Sequence, residues 1–178
     1  DNYFIMDKKI GLFWLRDDFR LTKNNGLIEA TINHDHVVVF YLYKEETYKD
    51  QEAQKWWLSK SLLNFRKRLN YLNITLEIIE TNSFKLFFDK LIKKNNFTIY
   101  WNKVYEPDYL KFDEYLITSF NNKNIEHKRF KGNALNEISE IKKNDGTPFK
   151  VFTPFWRTAE KFYVEKIPSR GKMIKKCK

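Results

Sequence analysis

The feature of this sequence that most constrains its fold is a regular alternation of short apolar runs with longer amphipathic segments. The first run, Ile10–Leu15, is continuously apolar and of strand length, as is typical of a strand buried on both faces. The second run, Val37–Tyr43, consists of β-branched and aromatic residues, which favour strands. The pattern predicts three further strands at Thr75–Glu80, 97–101 and 125–130.

Helix-like spacing of apolar residues fills the gaps between these strands. The longest example spans residues 52–72 and carries Trp56, Leu58, Leu62, Leu63, Phe65 and Leu69. We predict further helices over 25–33, from the N-cap Ser83 to Lys94, from Pro107, and from the N-cap Thr153 with Pro154 as its first residue. Strands that alternate with helices form right-handed crossovers. The sequence therefore predicts an α/β fold: a Rossmann-like, doubly wound, five-stranded parallel sheet with helices on both faces, complete by about residue 130.

The length and the charge distribution indicate how the chain is organised. A length of 178 residues corresponds to one domain. The net charge is +10, and residues 161–178 hold seven cations against one carboxylate. Apolar periodicity also stops after residues 168–171. We therefore expect an α/β domain over residues 1–160, followed at 161–178 by a basic linker that leads to a further domain.

Several classes of protein are disfavoured by what the sequence lacks. No apolar run approaches the length of a membrane span, and the first ten residues do not resemble a secretory signal. The single cysteine excludes a disulfide framework, so we expect a cytoplasmic location. The sequence has no glycine-rich phosphate loop or nucleophilic serine motif, and its three histidines lack partners at metal-ligand spacing.

The topology points to a binding site at one edge of the sheet. In an open parallel sheet, ligands bind beyond the carboxyl ends of the strands, where the strand order reverses. If the strand order is 3-2-1-4-5, this point lies between the first and fourth strands. The polar residues that follow the first, second and fourth strands are candidate ligand contacts, or alternatively structural ion pairs: Arg16, Asp17, Asp18, Tyr43, Lys44, Asn102, Tyr105, Glu106 and Asp108.

Two aromatic features need a separate interpretation. Trp56 and Trp57 are adjacent on the long helix, so one is expected to face the sheet while the other lies at its margin; alternatively they form a stacking wall or an exposed interface. The apolar run at 149–157 follows the completed sheet. It is expected to dock against the flank of the sheet or against another domain. The candidate interface residues are Phe152, Phe155, Trp156 and Arg157.

Residues 146–157, Gly-Thr-Pro-Phe-Lys-Val-Phe-Thr-Pro-Phe-Trp-Arg, resemble the "G-x-P-Y-x-V-F-T-P-F-W-R" signature of the photolyase/cryptochrome family. Residues 13–27 are similar to the family's "W-F-R-x-D-L-R-L-x-D-N-x-x-L" opening. Shorter similarities occur at 57–62, which matches "F-L-L-E-S-L", and at 102–107, which matches "N-x-x-Y-E/D-P". The matches span the chain from the first strand to the last helix.

This resemblance implies the N-terminal domain of a photolyase, an enzyme that repairs pyrimidine dimers in damaged DNA by light-driven electron transfer from reduced FAD. In the family, a helical C-terminal domain holds the FAD and the DNA lesion, so no catalytic residue is expected in this chain. The α/β domain of many members binds an antenna chromophore: a folate, a deazaflavin or a flavin. The resemblance places that chromophore at the crevice formed by the candidate residues above.

Three alternatives remain open at this stage. The first is a cryptochrome, a blue-light receptor of the same family. The second is a stand-alone nucleotide- or flavin-binding α/β protein. The third is a basic nucleic-acid-binding module without a small ligand, which the positive charge of the chain favours.

Overall fold

The secondary structure alternates along the chain as the apolar pattern predicts. A computed structural model describes residues 9–134, 137, 139–161 and 173–178. Within these residues lie the strands β1 (Ile10–Leu15), β2 (Val37–Tyr43), β3 (Thr75–Glu80), β4 (Phe97–Asn102) and β5 (His127–Phe130). The helices are α1 (Asn25–Asn33), α2 (Glu52–Asn70), α3 (Phe84–Ile92), α4 (Pro107–Asn122) and α5 (Phe152–Ala159), with a 3-10 turn at Glu45–Tyr48.

The sheet has the strand order β3-β2-β1-β4-β5, and all four strand pairings described are parallel. This confirms the predicted doubly wound α/β fold. Because β1 pairs with β2 on one side and with β4 on the other, the strand order reverses at β1. None of the described helices is long and apolar enough to cross a membrane.

Side chains that alternate along the central strands fill two cores, one on each face of the sheet. Phe13 and Leu15 of β1 belong to the core beneath α1 and α2. Trp14 belongs to the core beneath α3 and α4. All six residues of β4 are buried. Burial on both faces explains why the central strands are continuous apolar runs rather than alternating ones.

The face of α2 that packs on the sheet differs from the expected one. Leu58, Leu62, Phe65 and Leu69 are its buried residues. Trp56 is 64% exposed and Trp57 60%, so the expectation that one of them faces the sheet is wrong. The reason is helical geometry: at about 100° per residue, Trp56 lies about 200° around the helix from Leu58, on the opposite side.

The helix α5 begins two residues earlier than expected. Its first residue is Phe152, and Val151 occupies the cap position without a side-chain hydrogen bond. Thr153 and Pro154 therefore lie within the first turn of α5, and Thr153 is not the N-cap.

Contacts divide the chain into two units at a boundary other than the one predicted. The first unit comprises Asp1–Gly132 with Lys172–Lys178, and the second comprises Asn133–Gly171. The second unit contains α5, where the rings of Phe152 and Trp156 stack with centres 6.3 Å apart. The expected basic linker at 161–178 therefore does not describe the last residues of the chain, although much of it, residues 162–172, lies outside the described residues.

The last six residues pack into the α/β unit. Ile174 and Cys177 join the core beneath α1 and α2. The Cys177 amide donates to the Leu72 carbonyl at 2.9 Å, and the Lys178 amide donates to the Asp35 carbonyl at 3.0 Å. Two apolar side chains within a basic run were too weak a pattern to predict this contact.

We expect Ile174→Ala to lower the free energy of unfolding by about 2 kcal/mol, because it removes a side chain that is buried at the margin of the core. The measurement is urea unfolding. Met173→Ala, at the neighbouring position, is the matched control, because the Met173 side chain is 73% exposed. Equal stability of the two variants would show that the C-terminal residues add nothing to the α/β unit.

Candidate ligand cavity

A cavity of about 690 Å³ opens beyond the carboxyl ends of β1, β2 and β4. Its floor is formed by the end of β1, where the chain emerges from the core as Leu15, Arg16 and Asp17. Glu106, just before α4, also lines it. Aromatic rings form most of the walls: Phe19, Tyr41, Tyr48, Trp57, Phe84 and Tyr109. Topology thus places the cavity at the predicted switch point.

Arg16 holds a positive charge in the wall of this cavity. Its guanidinium carbon lies 3.9 Å from the centre of the Trp14 ring and 5.3 Å from that of Tyr109. Its Nη2 donates to the carboxylate of Asp113, which is fully buried. The Nε and Nη1 atoms are buried without a hydrogen-bond partner among the described residues. Burial lowers the pKa of Arg16, and the Asp113 carboxylate opposes that shift.

Asp17 adds a carboxyl group whose ionisation is disfavoured. Burial raises the pKa of Asp17, and the nearby carboxylates of Glu106 and Asp18 raise it further. The neighbouring Arg16 charge acts in the opposite direction without cancelling the shift. The floor of the cavity therefore combines a fixed cation with a carboxyl group that binds a proton more readily than a solvated one.

Tyrosine side chains supply neutral polar groups to the walls. The hydroxyl groups of Tyr41 and Tyr48 share a hydrogen bond of 3.1 Å. Burial raises the pKa of Tyr41 and that of Tyr109. Both phenols are therefore protonated at neutral pH and are able to donate or accept a hydrogen bond.

The structure brings five of the predicted site residues to this edge of the sheet. Arg16, Asp17 and Glu106 line the cavity. Lys44 and Asp108 line a neighbouring depression of about 500 Å³, which shares Thr47, Phe84 and Tyr109 with the cavity. Charged groups thus lie at both ends of one aromatic-walled crevice. Among the described residues, no three His, Cys, Asp or Glu side chains converge as a metal site would require.

Three other predicted residues are engaged in local contacts instead. The Asp18 carboxylate pairs with the Arg20 guanidinium at 2.7 Å. The Tyr43 hydroxyl donates to the Glu45 carboxylate at 2.5 Å. The Tyr105 hydroxyl accepts from the Gly132 amide at 3.3 Å. None of these three residues lines the cavity.

Asn102, the remaining candidate, connects β4 to the start of α1. Its Oδ1 accepts from the Gly26 amide at 3.1 Å, and its Nδ2 donates to Oδ1 of Asn24 at 2.8 Å. Asn24 is the N-cap of α1. A Cβ atom at position 26 would lie only 2.7 Å from Oδ1 of Asn102, so this close approach requires glycine. Asn102 is therefore a buried structural residue and does not line the cavity.

Sequence reasoning missed several wall residues. Tyr41 lies in β2, an apolar run in which every residue fits a buried strand, so the sequence does not distinguish Tyr41 from its core neighbours. Tyr109 lies in the first turn of α4, next to the predicted Asp108. The available signal was position: both residues lie near the carboxyl edge of the sheet. Trp57, weighed above as a stacking wall, lines the cavity, whereas Trp56 does not.

Fold and cavity together define a doubly wound α/β domain with a ligand crevice at its switch point. The chain belongs to the DNA photolyase family, whose model matches residues 11–171. This finding confirms the resemblance noted from the sequence motifs.

Individual relatives agree with this assignment. A deoxyribodipyrimidine photo-lyase of Agrobacterium fabrum is 28% identical over 84% of this chain, which spans 31% of that protein. The fold matches a class III photolyase of Agrobacterium tumefaciens with a TM-score of 0.80 and 24% identity, over 97% of this chain and 36% of the other. A photolyase of Sulfolobus tokodaii, described with two FAD molecules and an implied light-harvesting cofactor, matches with a TM-score of 0.72 and 20% identity, over 94% of this chain and 37% of the other. The chain thus spans about a third of the length of these relatives.

We expect Asp17→Asn to stabilise the protein only slightly at pH 7: the amide removes a carboxylate that desolvation at the cavity disfavours, but Asp17 is exposed and solvent screens much of that effect. The gain is full above the raised pKa of folded Asp17. It falls as the pH decreases through that value, and it is absent below the unfolded-state pKa of about 3.9. Urea unfolding across this pH range measures it. Asp18→Asn, which removes the partner of Arg20, is expected to give no gain, and an Asp17→Asn gain independent of pH would contradict the assignment.

We expect Asn102→Ala to lower the free energy of unfolding by about 2 kcal/mol, because the Gly26 amide is left buried without its acceptor. Asn121→Ala, at an exposed position of α4, is the control and should change stability by less than about 0.5 kcal/mol. Chemical denaturation measures the free energy of unfolding of both variants. A stability of Asn102→Ala equal to that of the control would argue against the structural role of Asn102.

Proposed function

We propose that this chain is the N-terminal domain of a deoxyribodipyrimidine photolyase and that its cavity binds an antenna chromophore. The observation that carries the proposal is the cavity of about 690 Å³ at the switch point, with aromatic walls and a charged floor. Pockets for cofactor-sized ligands range from about 300 to 1,000 Å³ and are lined mainly by apolar and aromatic groups. A flat aromatic chromophore fits both the volume and the chemistry.

The residues present fit such a ligand. Trp57 and Phe19 meet edge to face on the α2 side, with ring centres 6.5 Å apart, so one ring can stack on a flat ligand while the other borders its edge. Tyr109 and Arg16 lie on the α4 side, where the guanidinium charge favours an electron-rich, carbonyl-bearing ring edge. Lys44 in the neighbouring depression favours an anionic substituent. When bound, such a chromophore supplies absorption of near-ultraviolet or visible light.

The activity of the whole protein is part of the same proposal. We infer light-driven, FAD-dependent repair of pyrimidine dimers in DNA, with FAD and the lesion held by a C-terminal helical domain. The solvent-exposed rings of Phe152 and Trp156 on α5, together with Phe155 and Arg157, would contact that domain. The Sulfolobus relative with two FAD molecules supports a flavin as one antenna candidate, beside a folate or a deazaflavin.

The first experiment is the absorption spectrum of the purified whole protein, including the C-terminal domain proposed to hold FAD, followed by denaturation to identify the released chromophores. A second chromophore beside FAD supports the proposal and names the antenna. FAD alone would restrict this domain to a structural role. Absence of any flavin, together with AMP or ATP binding, would overturn the photolyase assignment in favour of a stand-alone nucleotide-binding protein. A protein that binds FAD and responds to light but does not repair pyrimidine dimers would be a cryptochrome.

We expect Trp57→Ala to weaken binding of the antenna about tenfold, because it removes a stacking wall of the cavity. Trp56→Ala is a matched control: it is the adjacent residue of the same helix and is similarly exposed, but it does not line the cavity. Fluorescence titration with a folate, a deazaflavin and a flavin measures the affinity. If the two variants bind alike, the chromophore does not occupy this cavity.

A further inference from the structure

The outward face of α2 carries a line of exposed aromatic, basic and apolar side chains. Trp56, Lys60, Leu63 and Lys67 recur at intervals of four, three and four residues, and Tyr71 follows at the C-cap. These five residues, the α2 stripe, lie opposite the leucines that pack on the sheet. Trp56 and Leu63 are exposed, and Tyr71 is 82% exposed. A soluble helix normally places such rings against a core, so this surface is unusual.

Beyond its first residue, Glu52, all the charged side chains of α2 are positive. Between Glu52 and Glu77 the sequence contains five cations and no carboxylate. Lys55 is paired with Glu45, and Nη2 of Arg66 donates to the Leu76 carbonyl at 3.2 Å. The other three cations, Lys60, Lys67 and Arg68, form no ion pair with any carboxylate of the described residues.

The two lysines lie at the centre of the stripe, on either side of Leu63, and an aromatic ring lies at each end. The Lys60 ammonium lies 5.8 Å from the centre of the Trp56 ring. Lys60 and Lys67 are separated by about 10 Å along the helix axis, at about 1.5 Å per residue. A partner that fits must therefore be elongated, carry more than one negative charge, and present flat apolar groups on either side of those charges.

We propose that the α2 stripe binds single-stranded nucleic acid. The phosphates would pair with Lys60 and Lys67, and unpaired bases would stack on Trp56 and Tyr71. An acidic peptide has rings only where its sequence includes aromatic residues, whereas every nucleotide carries both a phosphate and a flat base. An anionic membrane surface would need a continuous apolar face, which the two central lysines interrupt. This binding does not depend on the proposed antenna, because Trp56 does not line the cavity.

The test is fluorescence anisotropy of a labelled oligothymidylate of about 16 nucleotides with the purified chain, over a range of salt concentrations. We expect Lys60→Gln/Lys67→Gln to weaken binding at least tenfold at low salt. The slope of log K against log salt should fall by about 1.4 for two lost phosphate contacts. Lys90→Gln/Lys94→Gln, on and just after α3, changes the net charge equally and is expected to bind almost normally.

The aromatic contribution is tested separately. Trp56→Ala should weaken binding at least fivefold and Trp56→Phe much less, since stacking contributes about 1–3 kcal/mol per base. Trp57→Ala should leave oligonucleotide binding unchanged, which separates this surface from the antenna cavity. Far-ultraviolet circular dichroism verifies that each variant is folded.

Three results would overturn the proposal. The first is equal loss of affinity in the two lysine pairs, which would reduce the effect to net charge. The second is unchanged binding by Trp56→Ala. The third is tighter binding of duplex DNA, polyglutamate or anionic vesicles than of the oligothymidylate, which would assign the stripe to another partner.

Discussion

The structure depends on the burial of β1 on all sides. It pairs with β2 and β4 along its two edges, and its side chains enter the cores on both faces of the sheet. Polar side chains therefore first become possible where β1 ends, at Arg16 and Asp17. Because the crossovers leave the sheet in opposite directions on either side of β1, no helix fills the space above that end. The cavity follows from the topology.

The same constraint explains the buried charge at Arg16. A guanidinium in an apolar wall is unfavourable unless it is paired, and Asp113 of α4 supplies the carboxylate. Arg129 of β5 approaches the other oxygen of that carboxylate at 3.5 Å. Asp113 of α4 therefore pairs with one cation just after β1 and with another in β5. The network fixes α4 against the sheet edge. It also holds the Arg16 guanidinium next to Asp17 at the cavity floor.

The sequence predicted the parts of this structure that periodicity controls. The bounds of β1, β2 and β3, the strand order and the position of the cavity all follow from apolar runs and one topological rule. The identity of the wall residues does not, because whether Tyr41 or Tyr43 faces the cavity depends on strand register and on local hydrogen bonds. Asn102 illustrates the converse. A polar residue at the end of a strand resembles a ligand contact, yet the Asn102 side-chain amide hydrogen-bonds to Asn24 and Gly26 at the start of α1.

The long helix α2 shows how one element can serve two surfaces. Its leucine stripe fixes the rotation of the helix on the sheet, and that rotation determines where each tryptophan points. Trp57, about 100° from Trp56, lines the cavity, while Trp56 faces away from the sheet beside Lys60. Adjacent residues of the same type thus acquire different environments from packing alone. Because the two tryptophans point about 100° apart, the ring that would meet a polyanion on the outer face is not a ring of the cavity wall.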